Sequence, residues 1–520
     1  MIKSSYYIEK GMNYIEKNYK ILFFMLILCT LFLRLYKLDV MYSGMHIDEA
    51  GIIYDAYTLA NYHIDRYLNP FPVYMINFGG GQSALYTYLV ALLFKIFNPS
   101  LFVARLPIVI FNVLFSIFFA LIIKKMHGKR FSILSLVLIM ILPYFVMQSR
   151  FSLDCNLLVC FMAVDTYFLI LAFEKRNKLY FFLTGILFGL TLYTYILAWL
   201  ILPLYFLLIL IYLSRIKLLK LTQLSYFISP IIIFAIPLIV TLIINLFDFN
   251  QITLGNLVTI PKLFNWRGSE VSVFNIYENF KLLTSSLLFD NYNYNSDPQF
   301  GTVYYCFIPL VLIGIFVGTA KFIKDSKAKQ LGINTLMFFG FISSVIIFLL
   351  VVDLNISKMN ILYLYYAYFI VLGLVSIYSK TKLVFTLFLS AGLISSFCFF
   401  VHFFEPVNLD KRLFLFNNDI AKVIETIKFD NPDIPIYVDS DDEKEFAWYI
   451  ANKLPNPYLI DYKARKIDNI FFSPLEEISP YGVYIITESY EFSDMLYDFI
   501  KKNGTGYMKN IEGYLVYYIW

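Results

Sequence analysis

The chain has 520 residues, of which 59% are hydrophobic, 19% aromatic and only 15% charged, and its mean hydropathy is +0.68. This composition excludes a soluble globular protein and predicts a polytopic membrane protein. The formal net charge is +5, and the Lys and Arg residues form short clusters between apolar segments, so nucleic acid is not an expected partner.

Apolar segments long enough to cross about 30 Å of hydrocarbon occur eleven times along the chain. They lie near residues 20–37, 102–123, 131–147, 155–173, 179–195, 199–213, 226–246, 303–320, 332–352, 361–378 and 383–402. A shorter apolar segment at 83–97 contains Lys95 and follows the sequence NFGGGQ, so we interpret it as an amphipathic helix at the membrane surface. The sequence thus predicts an all-α polytopic membrane protein with about eleven transmembrane helices plus juxtamembrane helices.

The positive-inside rule orients these segments. If 83–97 does not cross the membrane, alternate connections carry nearly half of the 42 Lys and Arg residues. These connections are residues 1–20, 124–130, 174–178, 214–220, 321–330 and 379–382. A crossing at 83–97 would place all but the first of them outside. We therefore predict a multi-pass cell-membrane protein with a cytoplasmic N-terminus and an extracytoplasmic C-terminus.

Unusual polar residues then gather on the extracytoplasmic face, in a large first outer loop at 38–101 and in three later connections. They are Asp48 and Glu49 in MHIDEA, Arg150 and Asp154 in QSRFSLDCN, Arg267 in NWRGSE, and Asn355 and Lys358 in DLNISKMN. Acids and bases beside a bilayer are costly, and they commonly mark functional sites. Their convergence on one face predicts such a site.

After residue 403 the composition becomes that of a soluble protein, with alternating strand-like and helical segments. The strand-like segments are 434–440, 481–489 and 513–520, and the helical ones are near 417–428, 443–452 and 491–502. We therefore predict a transmembrane domain at 1–402 and a small extracytoplasmic α/β domain at 403–520. The second domain is expected to act as a lid, an acceptor-recognition module or a stabilising cap.

The order of these features resembles the lipid-linked-sugar glycosyltransferases of the GT-C fold, particularly the superfamily of protein O-mannosyltransferases and bacterial aminoarabinose transferases. The matching motifs are the Asp-Glu pair of MHIDEA after the first span, the Arg-x-x-x-Asp of QSRFSLDCN, and the segment FGGGQSALYTYL. The resemblance covers about residues 15–400. Two departures are that NFGGGQ replaces the usual Lys-Pro-Pro-like lead, and that Lys358 stands where an Arg is expected.

The resemblance implies a membrane enzyme that transfers a sugar from a polyprenyl-phosphate donor to an envelope glycan, lipid or protein, with inversion. Asp48 is expected to be the base or to orient the acceptor, because partial burial raises the pKa of a carboxylate. Glu49 would tune Asp48 or bind a sugar hydroxyl. Arg150 is the first candidate to bind the donor phosphate, since Arg offers a bidentate fork, and Lys358 and Arg267 come next.

Each of these roles has a structural alternative. Asp48 and Glu49 favour the N-terminus of a helix, as acids do. Arg150 can be an interfacial Arg at a helix end. Asp154 and Asn355 are expected to orient the substrate, but Asp154 can instead cap the helix that follows it. Lys358 and Arg267 can instead be anchors at the membrane interface.

A divalent cation stays open as a cofactor. His46, Asp48 and Glu49 carry standard ligand atoms, but three ligands so close in sequence rarely close a site without a distant partner, so no metal-binding residue is predicted. Two other functions also remain open. A transporter or lipid-linked-sugar flippase would place ionisable residues at mid-span, where most of these spans have none. A non-catalytic envelope assembly protein would tolerate the loss of Asp48.

Overall fold

The computed structural model describes residues 2–42, 44–78, 80–218, 220–266, 271–288, 295–405, 416–417, 419–440, 443–474, 477–487 and 490–520. The part before residue 405 is mostly helical. Its helices are α1 (Ile2–Lys17), α2 (Tyr19–Leu35), α3 (Ile47–Tyr62), α4 (Ala84–Phe94), α5 (Leu101–Ile141), α6 (Pro143–Gln148), α7 (Cys155–Lys175), α8 (Lys178–Thr191), α9 (Ala198–Arg215), α10 (Leu221–Leu246), α11 (Ile276–Ser285), α12 (Ile308–Lys327), α13 (Ile333–Leu350), α14 (Leu362–Lys380) and α15 (Lys382–Phe403).

Among the described residues, eight helices are long and apolar enough to cross a membrane, and the bent pair α1–α2 would make a ninth. The eight are α5, α7, α9, α10, α12, α13, α14 and α15. Helix α8 has 14 residues and falls below that length. Every one of the eleven predicted apolar segments coincides with a helix, but the count of eleven spans remains a prediction.

Helix α5 is a hairpin of two antiparallel helices. It has 41 residues, and Gly128 interrupts it with a φ of 79°, which belongs to the left-handed side that favours glycine. Ser132 Oγ donates to the Ala120 carbonyl over 2.8 Å. Twelve residues of straight helix would hold these atoms about 18 Å apart. The predicted segments 102–123 and 131–147 therefore fold back against each other.

The first outer loop is built from α3, α4 and three short strands, β1 (Met45–His46), β2 (Tyr74–Asn77) and β3 (Gly80–Ser83). Strands β2 and β3 pair as an antiparallel hairpin. Helix α4 occupies the segment predicted to lie at the membrane surface. Its 11 residues extend for about 17 Å, which is too short to cross a bilayer.

The later outer loop holds the strands β4 (Ile252–Leu254) and β5 (Val258–Ile260), which pair antiparallel. The region after residue 405 is a sheet with helices. Its elements are β6 (Phe416–Asn417), α16 (Asp419–Asp430), β7 (Ile436–Asp439), α17 (Lys444–Lys453), β8 (Ile460–Asp461), β9 (Lys466–Ile467), β10 (Ile470–Ser473), β11 (Gly482–Ile486), α18 (Tyr490–Asn503), β12 (Gly506–Ile511) and β13 (Tyr514–Ile519).

Seven of these strands form one mixed sheet in the order β12-β13-β11-β7-β10-β9-β8, in which β7 runs parallel to β10 and β11. Alternate residues of a strand face opposite sides of the sheet. Ile436 and Val438 therefore join the main core on one side, while Tyr437 packs on the other side against the cluster around Phe492 and Leu496. The division at 402/403 into two domains remains a prediction.

Candidate active site

A cavity of about 500 Å³ opens among the segments that carry the predicted polar residues. Its polar side is formed by Asp48, Asn77, Gln82, Asp154, Asn355, Ser357 and Lys358. Its apolar side is formed by α9, α10 and the following loop, with Trp199, Leu200, Leu242, Leu246, Leu263 and Trp266. The cavity thus joins charged and apolar walls, as a site for an amphiphilic ligand requires.

Asp48 is the first cavity-lining residue in chain order, and it is the second residue of α3. Its side chain is 40% exposed. Asn77 Nδ2 donates to Asp48 Oδ1 over 3.1 Å, and the Asp48 backbone N–H donates to His46 Nδ1 over 3.1 Å. Burial lowers the pKa of the His46 imidazole and so favours its neutral form, in which Nδ1 can accept this bond. Asp48 is therefore oriented by a neighbour yet open to the cavity.

Glu49 is adjacent in sequence but points into the protein. Its side chain is fully buried, and Arg105 donates to both of its oxygens over 2.8 Å. The backbone N–H groups of His46 and Ser152 also donate to it, at 3.1 and 2.8 Å. Burial opposes ionisation, but the Arg105 guanidinium outweighs it and holds the pKa of Glu49 below its usual range. Glu49 does not line the cavity and acts as a helix-capping and packing residue.

Arg150 is not brought to the cavity. It is buried and donates to the carbonyls of Leu33 and Tyr36 at the end of α2, over 2.6 and 2.8 Å. Its guanidinium also packs on the rings of Phe403 and Phe404, at 5.4 and 5.0 Å. Burial lowers its pKa to about 10, so the group keeps its charge at neutral pH. In this arrangement Arg150 ties α2 to the end of α15.

Asp154 lines the cavity and also caps a helix. Its Oδ1 accepts from the Cys155 backbone N–H at the start of α7, over 2.8 Å. Its Oδ2 accepts from the Ser83 N–H at the end of β3, over 2.9 Å. Burial, together with the nearby charge of Asp48, raises its pKa to about 7. The structure therefore brings Asp48 and Asp154 together, and both the functional and the capping interpretation of Asp154 fit its position.

Lys358 and Asn355 lie together on the polar side. Asn355 Oδ1 accepts from the Lys358 backbone N–H over 3.0 Å, and Lys358 Nζ donates to the Val352 carbonyl over 2.9 Å. Arg267 lies outside the described residues. The described residues that flank its segment, Trp266 and Val271, both line the cavity.

The site contains residues that sequence reasoning missed. Asn77 orients Asp48, and Arg105 orients Glu49. Arg105 lies inside the apolar segment 102–123, and an ionisable residue inside such a segment is itself a signal of a specific partner. The same signal marks Asp165 within α7, whose Oδ2 accepts from Thr191 over 2.7 Å. Asn77 carries no comparable signal, because polar residues are ordinary in a loop.

The residues considered for a divalent cation do not fit one here. His46 Nδ1 accepts from a backbone N–H, and both oxygens of Glu49 are held by Arg105. In the described parts of the chain, no group of three or more His, Cys, Asp and Glu side chains is arranged to hold a metal ion.

A family model and several solved structures are similar to this chain. Residues 82–245 match the family model of the dolichyl-phosphate-mannose-protein mannosyltransferases. No curated protein sequence matches the chain significantly.

Solved structures share its fold at low identity. ArnT from Cupriavidus metallidurans matches over 96% of this chain and 98% of its own, with 12% identity and a TM-score of 0.55 when bound to undecaprenyl phosphate. The apo form gives 10% identity and a TM-score of 0.59 over the same shares. The oligosaccharyltransferase of Archaeoglobus fulgidus tethered to an acceptor peptide gives 12% identity and a TM-score of 0.53, over 86% of this chain and 65% of its own. The predicted resemblance is confirmed: part of this membrane protein matches the mannosyltransferase family model, and its fold is similar to that of ArnT, a GT-C fold.

Proposed function

We propose that the protein is a membrane glycosyltransferase that moves a sugar from a polyprenyl-phosphate donor to an acceptor of the cell envelope. One observation carries the proposal: the cavity places an accessible carboxylate, Asp48, and a cation, Lys358, beside an apolar wall. A polyprenyl-phosphate sugar has the matching parts, which are a hydroxylated ring, an anionic phosphate and a hydrocarbon chain. The undecaprenyl phosphate bound to the ArnT of similar fold supports this donor class.

The donor phosphate is proposed to bind Lys358, with its prenyl chain along the apolar side near Leu246 and Trp266. Lys358 is the cation among the described lining residues. Arg267 stays in the proposal as a second phosphate ligand, because Trp266 beside it in sequence lines the cavity. Arg150 is replaced in this role, since its guanidinium is bonded to carbonyls of α2.

In the proposed transfer, an acceptor hydroxyl attacks the anomeric carbon while the bond from that carbon to the phosphate oxygen breaks. The hydroxyl proton passes to Asp48, which Asn77 holds in place. The leaving phosphate keeps the bonding electron pair, and Lys358 stabilises its charge. A single displacement of this kind inverts the anomeric centre. Asp154 and Asn355 are proposed to orient the donor sugar, and Glu49 acts indirectly by fixing the start of α3.

The proposed topology has eleven spans, a cytoplasmic N-terminus and the C-terminal region outside. The hairpin in α5 supports two crossings within residues 101–141, one on each side of Gly128. The basic clusters at 124–130, 174–178 and 214–220 support the orientation, because they all lie at the helix ends away from the cavity. The region 403–520 is proposed as a separate domain that caps the site.

A transporter or flippase is the second candidate, and Asp165 favours it. This acid lies ten residues into α7 and is fully buried between helices. Buried ionisable residues at mid-span are typical of transport pathways. Against this, the cavity that holds Asp48 lies at the helix ends rather than at mid-span. A non-catalytic assembly role, like the transport role, is separated from the proposed transferase by the activity test.

Sugar transfer in membranes supplied with radiolabelled polyprenyl-phosphate sugars tests the proposal. Asp48→Asn is expected to lower the rate by about 10²–10⁴-fold, which is the usual contribution of a general base. Lys358→Ala should raise KM for the donor. Asp39→Asn, which changes an exposed acid nine residues earlier, is the matched control and should keep the wild-type rate. Transfer by Asp48→Asn at the wild-type rate, or consumption of no donor by the wild type, would reject the proposal.

A further inference from the structure

A second cavity of about 180 Å³ lies between α7, α8, α9 and α10. It is at the opposite helix ends from the candidate active site: the active-site cavity meets the starts of α7 and α9, whereas this one meets their ends. Phe173, Phe181, Ile209 and Phe227 are among its walls. Apart from Lys220 and Gln223, every described lining residue is Leu, Ile or Phe.

Two of the helices around the cavity, α8 and α10, are in close contact. Gly185 and Gly189 form a G-x-x-x-G pattern on α8 that faces α10. A Cβ at Gly185 would lie 2.3 Å from the Phe227 carbonyl oxygen, and one at Gly189 would lie 2.6 Å from the Phe234 ring. Small residues at this spacing allow two membrane helices to approach closely. The contact holds α10 against α8 beside Phe227, which lines the cavity.

Hydrocarbon is the ligand class that suits this cavity. An apolar cavity offers water too few polar partners and stays dry. The helices around it carry large apolar side chains on their outward faces, such as Leu207 and Ile232, which are 52% and 53% exposed. A lipid acyl chain is therefore the hydrocarbon that surrounds this part of the molecule.

The charge at the mouth identifies the headgroup. From residue 175 to residue 247 the chain has no Asp or Glu, while Lys and Arg occur six times. All six stand at this end of the four helices: Lys175, Arg176, Lys178, Arg215, Lys217 and Lys220. The preceding acid, Glu174, is paired with Lys125 over 2.5 Å. Lys220 itself lines the cavity, so a phosphate beside it would meet its positive charge.

We propose that this cavity binds one acyl chain of an anionic phospholipid from the leaflet opposite the active site, with the lipid phosphate against Lys220. Two observations combine in the proposal: an apolar cavity bordered by α8 and α10, and a cationic rim formed by the chain segment 175–247, which has no Asp or Glu. The bound lipid would stabilise the packing of α9 and α10, whose other ends form the apolar wall of the active-site cavity. The inference does not depend on the proposed sugar transfer.

Photo-crosslinking in nanodiscs tests the site with the full chain. The probes are phosphatidylglycerol and phosphatidylcholine that carry a diazirine on one acyl chain, and the labelled peptides are mapped by mass spectrometry. Peptides covering 206–231 should label about fivefold more with the anionic probe, as expected from about 1 kcal/mol per cation near a headgroup. Peptides from α12, whose last turn carries Lys324 and Lys327 but which does not line this cavity, should show a smaller anionic preference.

Two variants separate the site from general lipid contact. Ile209→Trp fills the cavity and should remove most of the labelling at 206–231. Lys220→Gln, at an exposed position, should reduce the anionic preference to near that of phosphatidylcholine. Lys327→Gln, at the exposed end of α12, is the control and should change neither. Equal labelling by both probes, or labelling unchanged in Lys220→Gln, would overturn the proposal, even if Ile209→Trp does not fold.

Discussion

Asp48 and Glu49 show how two adjacent carboxylates take different roles. Successive residues of a helix point in different directions, so Asp48 faces the cavity while Glu49 faces the interior. Asp48 keeps one accessible carboxylate edge, whereas Glu49 accepts hydrogen bonds from Arg105, Ser152 and the backbone of His46. We therefore expect loss of Asp48 to affect the chemistry and loss of Glu49 to affect folding.

Glu49→Gln is predicted to destabilise the protein. The substitution leaves Arg105 buried without its counter-charge, and breaking such a pair costs about 3–5 kcal/mol. The melting temperature in detergent should fall well below that of wild type, with reduced yield. Asp48→Asn should melt like wild type because its carboxylate is partly exposed. A Glu49→Gln protein that melts normally but transfers no sugar would instead restore Glu49 to a catalytic role.

Asp154 is predicted to make donor binding depend on pH near neutrality. Its pKa is raised to about 7, so the carboxyl group is mostly neutral below pH 7 and mostly ionised above it. An ionised Asp154 adds negative charge to a cavity that is proposed to bind an anionic phosphate. KM for the donor should therefore rise as the pH increases through 7.

Asp154→Asn provides the control for this prediction. The amide resembles the neutral carboxyl group in size, and it cannot ionise. KM for the donor should then stay nearly constant between pH 6 and 8, while wild type shows the rise. A wild-type KM that is flat over this range, or a rise that persists in Asp154→Asn, would assign the pH dependence to another group.

Asp48 is held by α3 and by Asn77 of the β2–β3 hairpin, and Gly51 of α3 lies against the Asn77 side chain. A Cβ at Gly51 would lie 2.4 Å from Asn77 Oδ1 and 2.6 Å from Arg66 Nη2. Contacts this short cannot persist, so a side chain there must push Asn77 away from Asp48. Gly51 thus leaves the space that the Asn77 amide occupies beside Asp48.

Gly51→Ala is predicted to lower kcat by up to about 100-fold, because a shift of about 1 Å in a positioning group can have that effect. Asn77→Ala should give a similar loss without any steric clash, which tests whether Asn77 is the cause. Gly11→Ala is the matched control, since a Cβ at Gly11 meets nothing within 4 Å. Wild-type kcat in both Gly51→Ala and Asn77→Ala would contradict a positioning role for the hairpin.

Elements were more predictable from the sequence than their contacts. Each predicted apolar segment coincides with a helix because the hydrophobic length of a membrane helix is a local property. The strands β7, β11 and β13 occupy the predicted strand-like segments. The strands β8 and β9 have two residues each, which is too short to show the alternation of apolar and polar residues that predicts a strand. The alternation of apolar residues needs several positions to be recognised.

The site was only partly predictable, for a physical reason. Asp48, Asp154, Asn355 and Lys358 come together at one cavity because they lie at helix ends on one face of the molecule. The direction of a buried Arg depends on which carbonyls and acids are near it in space. Arg150 finds the end of α2, more than a hundred residues earlier, and sequence spacing cannot indicate that partner.

At the scale of the whole molecule, the C-terminal region packs against the segment that carries Asp48. Strand β6 pairs antiparallel with β1, so that His46 lies opposite Phe416. Trp448 Nε1 donates to the Met45 carbonyl over 3.0 Å, and Tyr54 Oη donates to the Pro455 carbonyl over 2.8 Å. The region after residue 405 thus contacts both β1 and α3. This contact favours a stabilising cap over the other roles considered for it.

Trp448→Phe is predicted to lower kcat while leaving KM for the lipid donor unchanged. The change keeps the aromatic packing and removes one hydrogen bond to the backbone beside His46, which is worth about 1 kcal/mol, or roughly fivefold in rate. Trp448 does not line the cavity in which Lys358 and the apolar side are proposed to bind the donor, so donor affinity should not change. Trp520→Phe is the control, because Trp520 is 59% exposed at the chain end. If Trp448→Phe instead raised KM for the acceptor without changing kcat, the C-terminal region would act in acceptor recognition. Its contact with β1 would then serve to place an acceptor-binding surface beside Asp48.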